Sequence, residues 1–295
     1  MSRTRLASVA AVAAAAVLSL GACTPAPSQD AGQSPSGSSS AAEPTGDGQG
    51  LRIGIKVDQP GLGYQDGHGR ASGFDVDVAR YVAERLGVPE DRIEWVPVRS
   101  ADREQALEDG RVDMVVATYS ITEERQRHVD FAGPYLVAGQ DLLVRADETE
   151  ITGPDSLDGR NLCTVTGSTS AQQVKERFAA DVQLVEQGSY PECVSALESG
   201  RVDAVTTDDI ILAGLAATEA NRGRFTLVGR PFTTERYGIG LPRGSQRCEA
   251  VEAALQEMKN SGQWARALEA NTAGTGYTHS PARTEGAAAA FEPCS

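Results

Sequence analysis

From residue 51 to about residue 271 the apolar positions alternate between two rhythms. Residues 51–57, 93–98, 113–118 and 161–165 are short apolar runs, the pattern of buried strands. Between them, apolar side chains return at helical spacing. Phe74, Val78, Tyr81, Val82 and Leu86 share one helical face, with Asp75 and Asp77 in the first turn, where acids suit the helix dipole, and Gly87 as the stop. Residues 103–108, 171–178 and 210–217 read as further helices. Strand and helix in alternation predict an α/β fold with a largely parallel sheet.

One stretch occurs twice. Leu107-Glu108-Asp109-Gly110-Arg111-Val112-Asp113-Met114-Val115 returns 90 residues later as Leu197-Glu198-Ser199-Gly200-Arg201-Val202-Asp203-Ala204-Val205, identical at seven of nine positions. Each copy reads as helix end, glycine turn and strand, which implies two similar α/β lobes. Open α/β sheets hold ligands at the carboxyl ends of their strands. Residues 118–125 and 206–209, just past the two copies, are therefore placed on a shared cleft.

These segments carry chemistry. Thr122 is a good N-cap for a helix beginning at Glu123, with Arg125 inside it. A guanidinium beside a helix N-terminus can hold a carboxylate bidentately; the plainer alternative is a surface arginine paired with Glu123 or Glu124. Asp208 falls at a strand end and can receive an ammonium, or, with Asp209, merely cap the next helix. Thr166-Gly167-Ser168-Thr169-Ser170 opens another helix after a strand and reads as an anion-binding nest, without the GxxxxGK[ST] spacing of a nucleotide site. One cation, one anion and a second anion nest match a zwitterion with a further acidic or polar group, an amino acid such as glutamate.

Composition narrows the field. The 295 residues include 27 basic ones, only three of them Lys, and 41 acidic ones, for a net charge of −14. Such a chain makes a poor nucleic-acid partner and is repelled by anionic membrane surfaces. His68, His128 and His279 are far apart, with no HExxH or CxxC spacing, so neither a zinc site nor another cofactor is expected. Residues 1–22 form an export signal: Arg3 and Arg5 precede an apolar run too short to span a membrane. Its end, Leu20-Gly21-Ala22-Cys23, resembles a bacterial lipobox, which implies cleavage and acylation at Cys23. Losing the two arginines takes the charge to −16. Residues 24–50, dense in Ser, Gly, Pro, Ala and Gln, read as a flexible tether. The remaining Cys163, Cys193, Cys248 and Cys294 allow two disulfides in three connectivities. Pairing by nearness in sequence favours Cys163–Cys193 and Cys248–Cys294, each loop contributing ~3–4 kcal/mol in the chain-entropy model.

Several motifs together resemble one family. Gly73-Phe74-Asp75-Val76-Asp77-Val78-Ala79 is similar to the signature of family 3 extracellular solute-binding proteins, the polar amino acid receptors of ABC importers. Ile121-Thr122-Glu123-Glu124-Arg125, followed by Val129-Asp130-Phe131-Ala132-Gly133-Pro134-Tyr135, is similar to that family's second hallmark. Asp58-Gln59-Pro60-Gly61-Leu62-Gly63 and residues 117–121 resemble the actinobacterial glutamate-binding branch. The resemblance implies a type II periplasmic-binding-protein fold, with two lobes joined by two hinge strands that close over the ligand. The lobes would cover residues 51–141 with 233–271, and 142–232, leaving 272–295 as a tail pinned by a disulfide. Hinges would lie at 139–143 and 231–236. Arg125 would bind the ligand α-carboxylate and Asp208 its ammonium. Thr118 and Ser120 would add main-chain and hydroxyl contacts, and Gly167, Ser168 and Thr169 would help hold the carboxylates. No stacking aromatic is obvious, because Ser100 stands at the matching place; Tyr64 and Tyr119 are the candidates.

Two further cations bear on specificity. Lys56, near the end of an apolar strand, and Arg99, after the second strand, either reach a distal ligand carboxylate or pair with a nearby Asp. The whole reads as a monomeric, lipid-anchored receptor on the outer face of the cytoplasmic membrane, delivering L-glutamate, or aspartate, to an ABC permease. Rival readings are a glutamine or broad polar amino acid receptor, a sensor feeding a membrane signalling partner, and an enzyme. The enzyme reading lacks a paired acid and base.

Overall fold

The computed structural model describes residues 50–179, 181–280, 283, 289–291 and 294. The expected signal, the acylated Cys23 and the tether up to residue 49 lie outside the described residues. The chain opens with β1 (Leu51–Ile55), followed by a small ribbon of β2 (Asp58–Gln59), β3 (Gly63–Gln65) and β4 (Ala71–Ser72). Then come α1 (Phe74–Arg85), β5 (Ile93–Pro97), α2 (Arg103–Glu108), β6 (Met114–Val116) and the long β7 (Val129–Ala138). A second series follows: β8 (Gln140–Arg145), β9 (Asn161–Val165), α3 (Ser170–Arg177), β10 (Gln183–Gln187), α4 (Tyr190–Glu198), β11 (Ala204–Asp208), α5 (Asp209–Ala217) and β12 (Phe225–Leu227). Last come β13 (Glu235–Pro242), α6 (Cys248–Asn260) and α7 (Gln263–Thr272). No described helix is long and apolar enough to cross a membrane.

The strands make two five-stranded sheets, ordered β5-β1-β6-β13-β7 and β10-β9-β11-β8-β12. Each is the core of one α/β lobe. Each is parallel only in its first three strands. The other half is antiparallel, because the strands entering from the opposite lobe run against the rest. The parallel strands are covered on both sides, so β1 and β6 are almost wholly buried, as their unbroken apolar runs require.

The sequence repeat is a structural repeat. Gly110 and Gly200 both take left-handed backbone, with φ of 63° and 72°, and each donates its N–H to the leucine three residues back. Asp113 and Asp203 then accept from the backbone N–H of the neighbouring strand, Arg52 at 2.8 Å and Asn161 at 2.7 Å. The repeated residues thus stop a helix, reverse the chain and register the next strand in both lobes.

The chain changes sheet at Gly139 and again between Leu227 and Glu235. The crossings lie side by side: Phe232 N–H donates to Gln140 O at 2.9 Å, and Gln140 N–H to Thr233 Oγ1 at 3.1 Å. Of the three possible connectivities, the structure makes Cys163–Cys193, inside the second lobe, and Cys248–Cys294, which ties the tail to α6. Farther up the tail, Arg283 pairs with Asp209 beside the first crossing at 2.6 Å.

Candidate functional site

The carboxyl ends of β6, β9 and β11 converge, from the two lobes, on one narrow cavity lined almost wholly by polar side chains. Thr118, Ser120, Arg125, Ser100 and Arg103 line it from the first lobe. Ser168, Thr169, Ser170, Tyr190, Thr207, Asp208 and Ile211 line it from the second. Ile211 is the one aliphatic side chain among them, so a ligand here is held by charge and hydrogen bonds.

Two guanidiniums dominate the first-lobe wall. Arg125 starts a single 3₁₀ turn rather than lying inside a full helix, and Glu124, not Thr122, stands at its N-cap; Thr122 Oγ1 accepts the Arg125 N–H at 3.2 Å. Its side chain donates to Ser120 O at 2.8 Å and, across the cleft, to Gly167 O at 2.9 Å. Its acidic partner is Glu104 at 3.3 Å, and neither Glu123 nor Glu124. Arg103 is 2% exposed. It donates to the carbonyls of Ser100, Ala117, Thr118 and Gly167 at 3.0–3.2 Å, and has no carboxylate partner among the described residues. Burial, then repulsion from Arg125, pulls its pKa down to about 10, so it remains a cation at neutral pH. Both guanidiniums lie over the ring of Tyr119, with Cζ 4.3 and 5.0 Å from its centroid.

The opposite wall carries the negative charge. Asp208 ends β11 and precedes α5, yet makes no side-chain cap; Asp209 instead binds the Ile210 N–H at 2.9 Å. Asp208 Oδ2 accepts the hydroxyl of Tyr237 from the first lobe. Its Oδ1 is buried with no partner and lines the cavity. Burial, then the charge of Glu235, raises the Asp208 carboxyl well above the ordinary range, against the pull of the Tyr237 hydrogen bond. A carboxylate oxygen so placed accepts hydrogen bonds from a cationic ligand group. Tyr190 turns one edge to the cavity and bonds Thr207 Oγ1 at 2.6 Å; burial raises its phenol to about 12, so it stays neutral.

The structure brings Arg125, Asp208, Thr118, Ser120, Ser168 and Thr169 together, and removes others from the wall. Lys56, 2% exposed, pairs with Asp58 at 3.2 Å and does not line the cavity. Burial lowers its pKa and Asp58 opposes that, the structural ion pair that was the alternative reading. Arg99 points outward from an exposed position. Gly167 presents its carbonyl, not its N–H, to the two arginines, so it receives cations rather than an anion. Tyr119 lies behind the arginines, edge-on to Phe131, and Tyr64 is 40% exposed outside the cavity; neither stacks on a ligand.

Residues that spacing overlooked are Arg103, Tyr190 and Tyr237; Ser170 and Thr207 fall inside the nest and the 206–209 segment. Arg103 starts a helix shortly after a strand end, the same rule that selected Asp208. Tyr190 follows Ser189 in a Ser-x-x-Glu capping box with Glu192 and so opens α4. Tyr237 had no local signal, since only the return of β13 beside β6 places it under the cleft. One further cluster, Cys248, Glu252 and Cys294, has metal-like spacing, but both its sulfurs are joined in a disulfide.

Residues 51–272 match the bacterial extracellular solute-binding proteins, family 3. The chain is 44% identical over 232 residues to the glutamate-binding protein GluB of Corynebacterium efficiens, covering 75% of this chain and 78% of that one. It is 37% identical over 215 residues to the ABC transporter glutamine-binding protein GlnH of Bacillus subtilis, covering 72% and 77%. Among solved structures, an ancestral arginine-binding protein bound to glutamine superposes with a TM-score of 0.69 at 36% identity, over 75% of this chain and 96% of that one. With the family model spanning both lobes and the cleft between them, the chain belongs to the family 3 bacterial extracellular solute-binding proteins.

Proposed function

We propose that this protein is the substrate receptor of an amino acid ABC importer and that its ligand is L-glutamate. The observation that carries the reading is the charge set of the cavity: two guanidiniums, Arg103 and Arg125, facing one carboxylate oxygen of Asp208 that has no partner. A ligand with two carboxylates and one ammonium complements that set group for group. Arg125 takes the α-carboxylate, Asp208 the ammonium and Arg103 the distal carboxylate, with the serine and threonine hydroxyls filling the remaining bonds. Closure is a hinge motion at Gly139 and the 228–234 return, shifted by the ligand's preference for the closed form. The receptor is a monomer held to the outer face of the cytoplasmic membrane through acylated Cys23, passes its ligand to a permease and performs no chemistry on it.

Glutamine is the second reading, favoured by one observation. Arg103 has five N–H groups, and its bonds to Ser100, Ala117, Thr118 and Gly167 use four of them. A single remaining N–H serves an amide oxygen as well as a carboxylate. Calorimetric titration with L-glutamate, L-glutamine and L-aspartate decides. Tighter binding of glutamate, with Arg103→Met weakening glutamate by ~10- to 150-fold and glutamine less, supports the acidic ligand; the range follows from the ~1.5–3 kcal/mol of a hydrogen bond to a charged group. Tighter binding of glutamine discards the acidic ligand and keeps the receptor. Binding of no amino acid, or turnover of one seen by mass, defeats the reading.

A further inference from the structure

Asp75 reads from sequence as an acid in the first turn of α1, there to suit the helix dipole. Its surroundings assign it differently. It is fully buried and outside the cavity lining. Its two oxygens take one donor each: Oδ2 accepts the backbone N–H of Thr118 at 2.9 Å, and Oδ1 accepts the Tyr135 hydroxyl at 2.9 Å. Thr118 has φ of 44°, and is the one non-glycine with positive φ among the described residues. A β-branched residue in that region is a steric outlier, held only where the surroundings over-determine it. Here they do so from two sides. Asp75 fixes the Thr118 amide, and Gln59 Oε1 accepts the Thr118 hydroxyl at 3.1 Å. The turn so held aims the carbonyls of Ala117 and Thr118 at Nη1 of Arg103, at 3.0 and 3.2 Å.

We propose that Asp75 is a positioning residue for ligand discrimination: it pins the left-handed turn at Thr118, and that turn orients the Arg103 guanidinium without Asp75 touching the ligand. The proposal rests on the reading of Arg103 as the group that meets the ligand's distal end. It extends that reading to a residue outside the cavity lining, which acts on the ligand by way of the Thr118 turn and Arg103.

Two variants separate positioning from bulk stability. Asp75→Asn keeps one carbonyl oxygen for the Thr118 N–H and turns its amide toward the Tyr135 oxygen, which accepts as readily as it donates. Asp75→Leu has similar volume and leaves both donors without an acceptor. The first readout needs no ligand: amide hydrogen exchange at Thr118 in the free protein stays slow in the wild type and Asp75→Asn, and speeds up by about tenfold or more in Asp75→Leu. The second is the ratio of dissociation constants for L-glutamine and L-glutamate by calorimetry. It holds in Asp75→Asn and falls by about tenfold in Asp75→Leu, the loss of one charge-assisted contact. If Asp75→Leu does not yield folded protein, Asp75→Ser, too short to reach the amide but open to water, carries the same expectation. Unchanged exchange and an unchanged ratio in the Leu or Ser variant overturn the proposal, as does an Asn variant as impaired as Leu. A wild type that binds neither amino acid defeats the glutamate reading alone, and the exchange at Thr118 then decides for or against Asp75.

Discussion

Replacing Gly214 by alanine adds one methyl group and is expected to move two measurements in opposite directions. Gly214 lies in the middle of α5, where alanine is preferred over glycine by ~1 kcal/mol because it has less backbone freedom to lose. The same glycine faces Pro60 across the cleft. A Cβ on Gly214 would stand 3.2 Å from the Pro60 carbonyl carbon and closer still to its oxygen, well inside contact. Pro60 has little room to retreat. Leu62 is fully buried and donates to Gln59 O at 3.0 Å, and Gly61 is packed on Asn271 O, 2.8 Å from where a Cβ would sit. The lobes must part for the methyl group to fit. An extra methyl forced into a packed contact costs ~1–3 kcal/mol, here on the closed form alone. Apparent affinity falls with the population of the binding-competent form, so the dissociation constant rises by ~5- to 150-fold at tenfold per 1.4 kcal/mol. The free protein, able to stay open, keeps the helix gain and melts ~2–4 °C higher. Calorimetric titration with L-glutamate and scanning calorimetry without it read the two effects. An unchanged affinity would refute the reasoning, because it would mean that the Pro60–Gly214 contact is no part of the bound form.

The pH dependence of binding follows from Asp208. Its carboxyl is raised in the free site, while a ligand ammonium needs the carboxylate. Affinity is therefore full above that raised pKa and falls toward about tenfold per pH unit as the pH drops through it. Binding near the pKa expels a proton, seen as a binding enthalpy that tracks the ionisation enthalpy of the buffer; no such tracking at any pH would contradict the assignment. Asp208→Asn leaves the ammonium without its counter-charge and is expected to weaken binding by ~30-fold or more, the lower end of ~2–5 kcal/mol for breaking a buried charge pair. The two disulfides differ in weight. Cys163 and Cys193 are both fully buried in the second lobe, so replacing the pair by serines removes most of the ~3–4 kcal/mol of the chain-entropy model and lowers the melting temperature by ~6–16 °C. Replacing Cys248 and Cys294 frees only the tail and lowers it less; the reverse order in scanning calorimetry would show that the tail is integral to the first lobe.

What could be read from the sequence was whatever is encoded locally. The helix through Phe74, Val78 and Tyr81 was legible because one face meets one core, and the two lobes because Gly110 and Gly200 recur in the same setting. The antiparallel half of each sheet was not legible, because it depends on strands that cross between lobes, and crossing leaves no mark on a strand's own pattern. The site divided in the same way. Arg125 and Asp208 stand out at strand and turn ends, but only the fold tells a ligand-facing Asp208 from a capping one, and it does so by leaving α5 without a side-chain cap and Asp208 Oδ1 without a partner on the cavity wall. Arg99 and Arg103 are four residues apart and equally basic; the 3₁₀ turn between them sends one outward and the other into the core. Lys56 reads from sequence as a buried cation in want of an anion, and a ligand carboxylate or a nearby Asp would serve equally. The anion is Asp58, two residues away, and only the fold of the β2 ribbon brings it onto the buried ammonium.

The closed cleft carries its own condition for closing. Gly167 O accepts Arg103 at 3.2 Å and Arg125 at 2.9 Å across the interface, so closure gathers two mutually repelling cations on one neutral oxygen. A Cβ on Gly167 would lie 2.7 Å from the Ser100 carbonyl carbon, so the approach is as close as glycine allows. On the other side, closure buries Asp208 beside Glu235 with one oxygen unsatisfied. Each arrangement is unfavourable alone, and the pull of Arg125 on Asp208, like the Glu104 partner of Arg125, offsets this only in part, because no direct Arg–Asp208 bond forms across the cavity among the described residues. A ligand with negative charge at the arginine wall and an ammonium at Asp208 relieves both at once. Its binding energy is thus expressed in the closed form and hardly in the open one, and that differential affinity is what shifts a two-state equilibrium. By the same reasoning a monoamine or a simple dicarboxylate is expected to relieve one side only and to bind far more weakly than an amino acid in the same calorimetric titration.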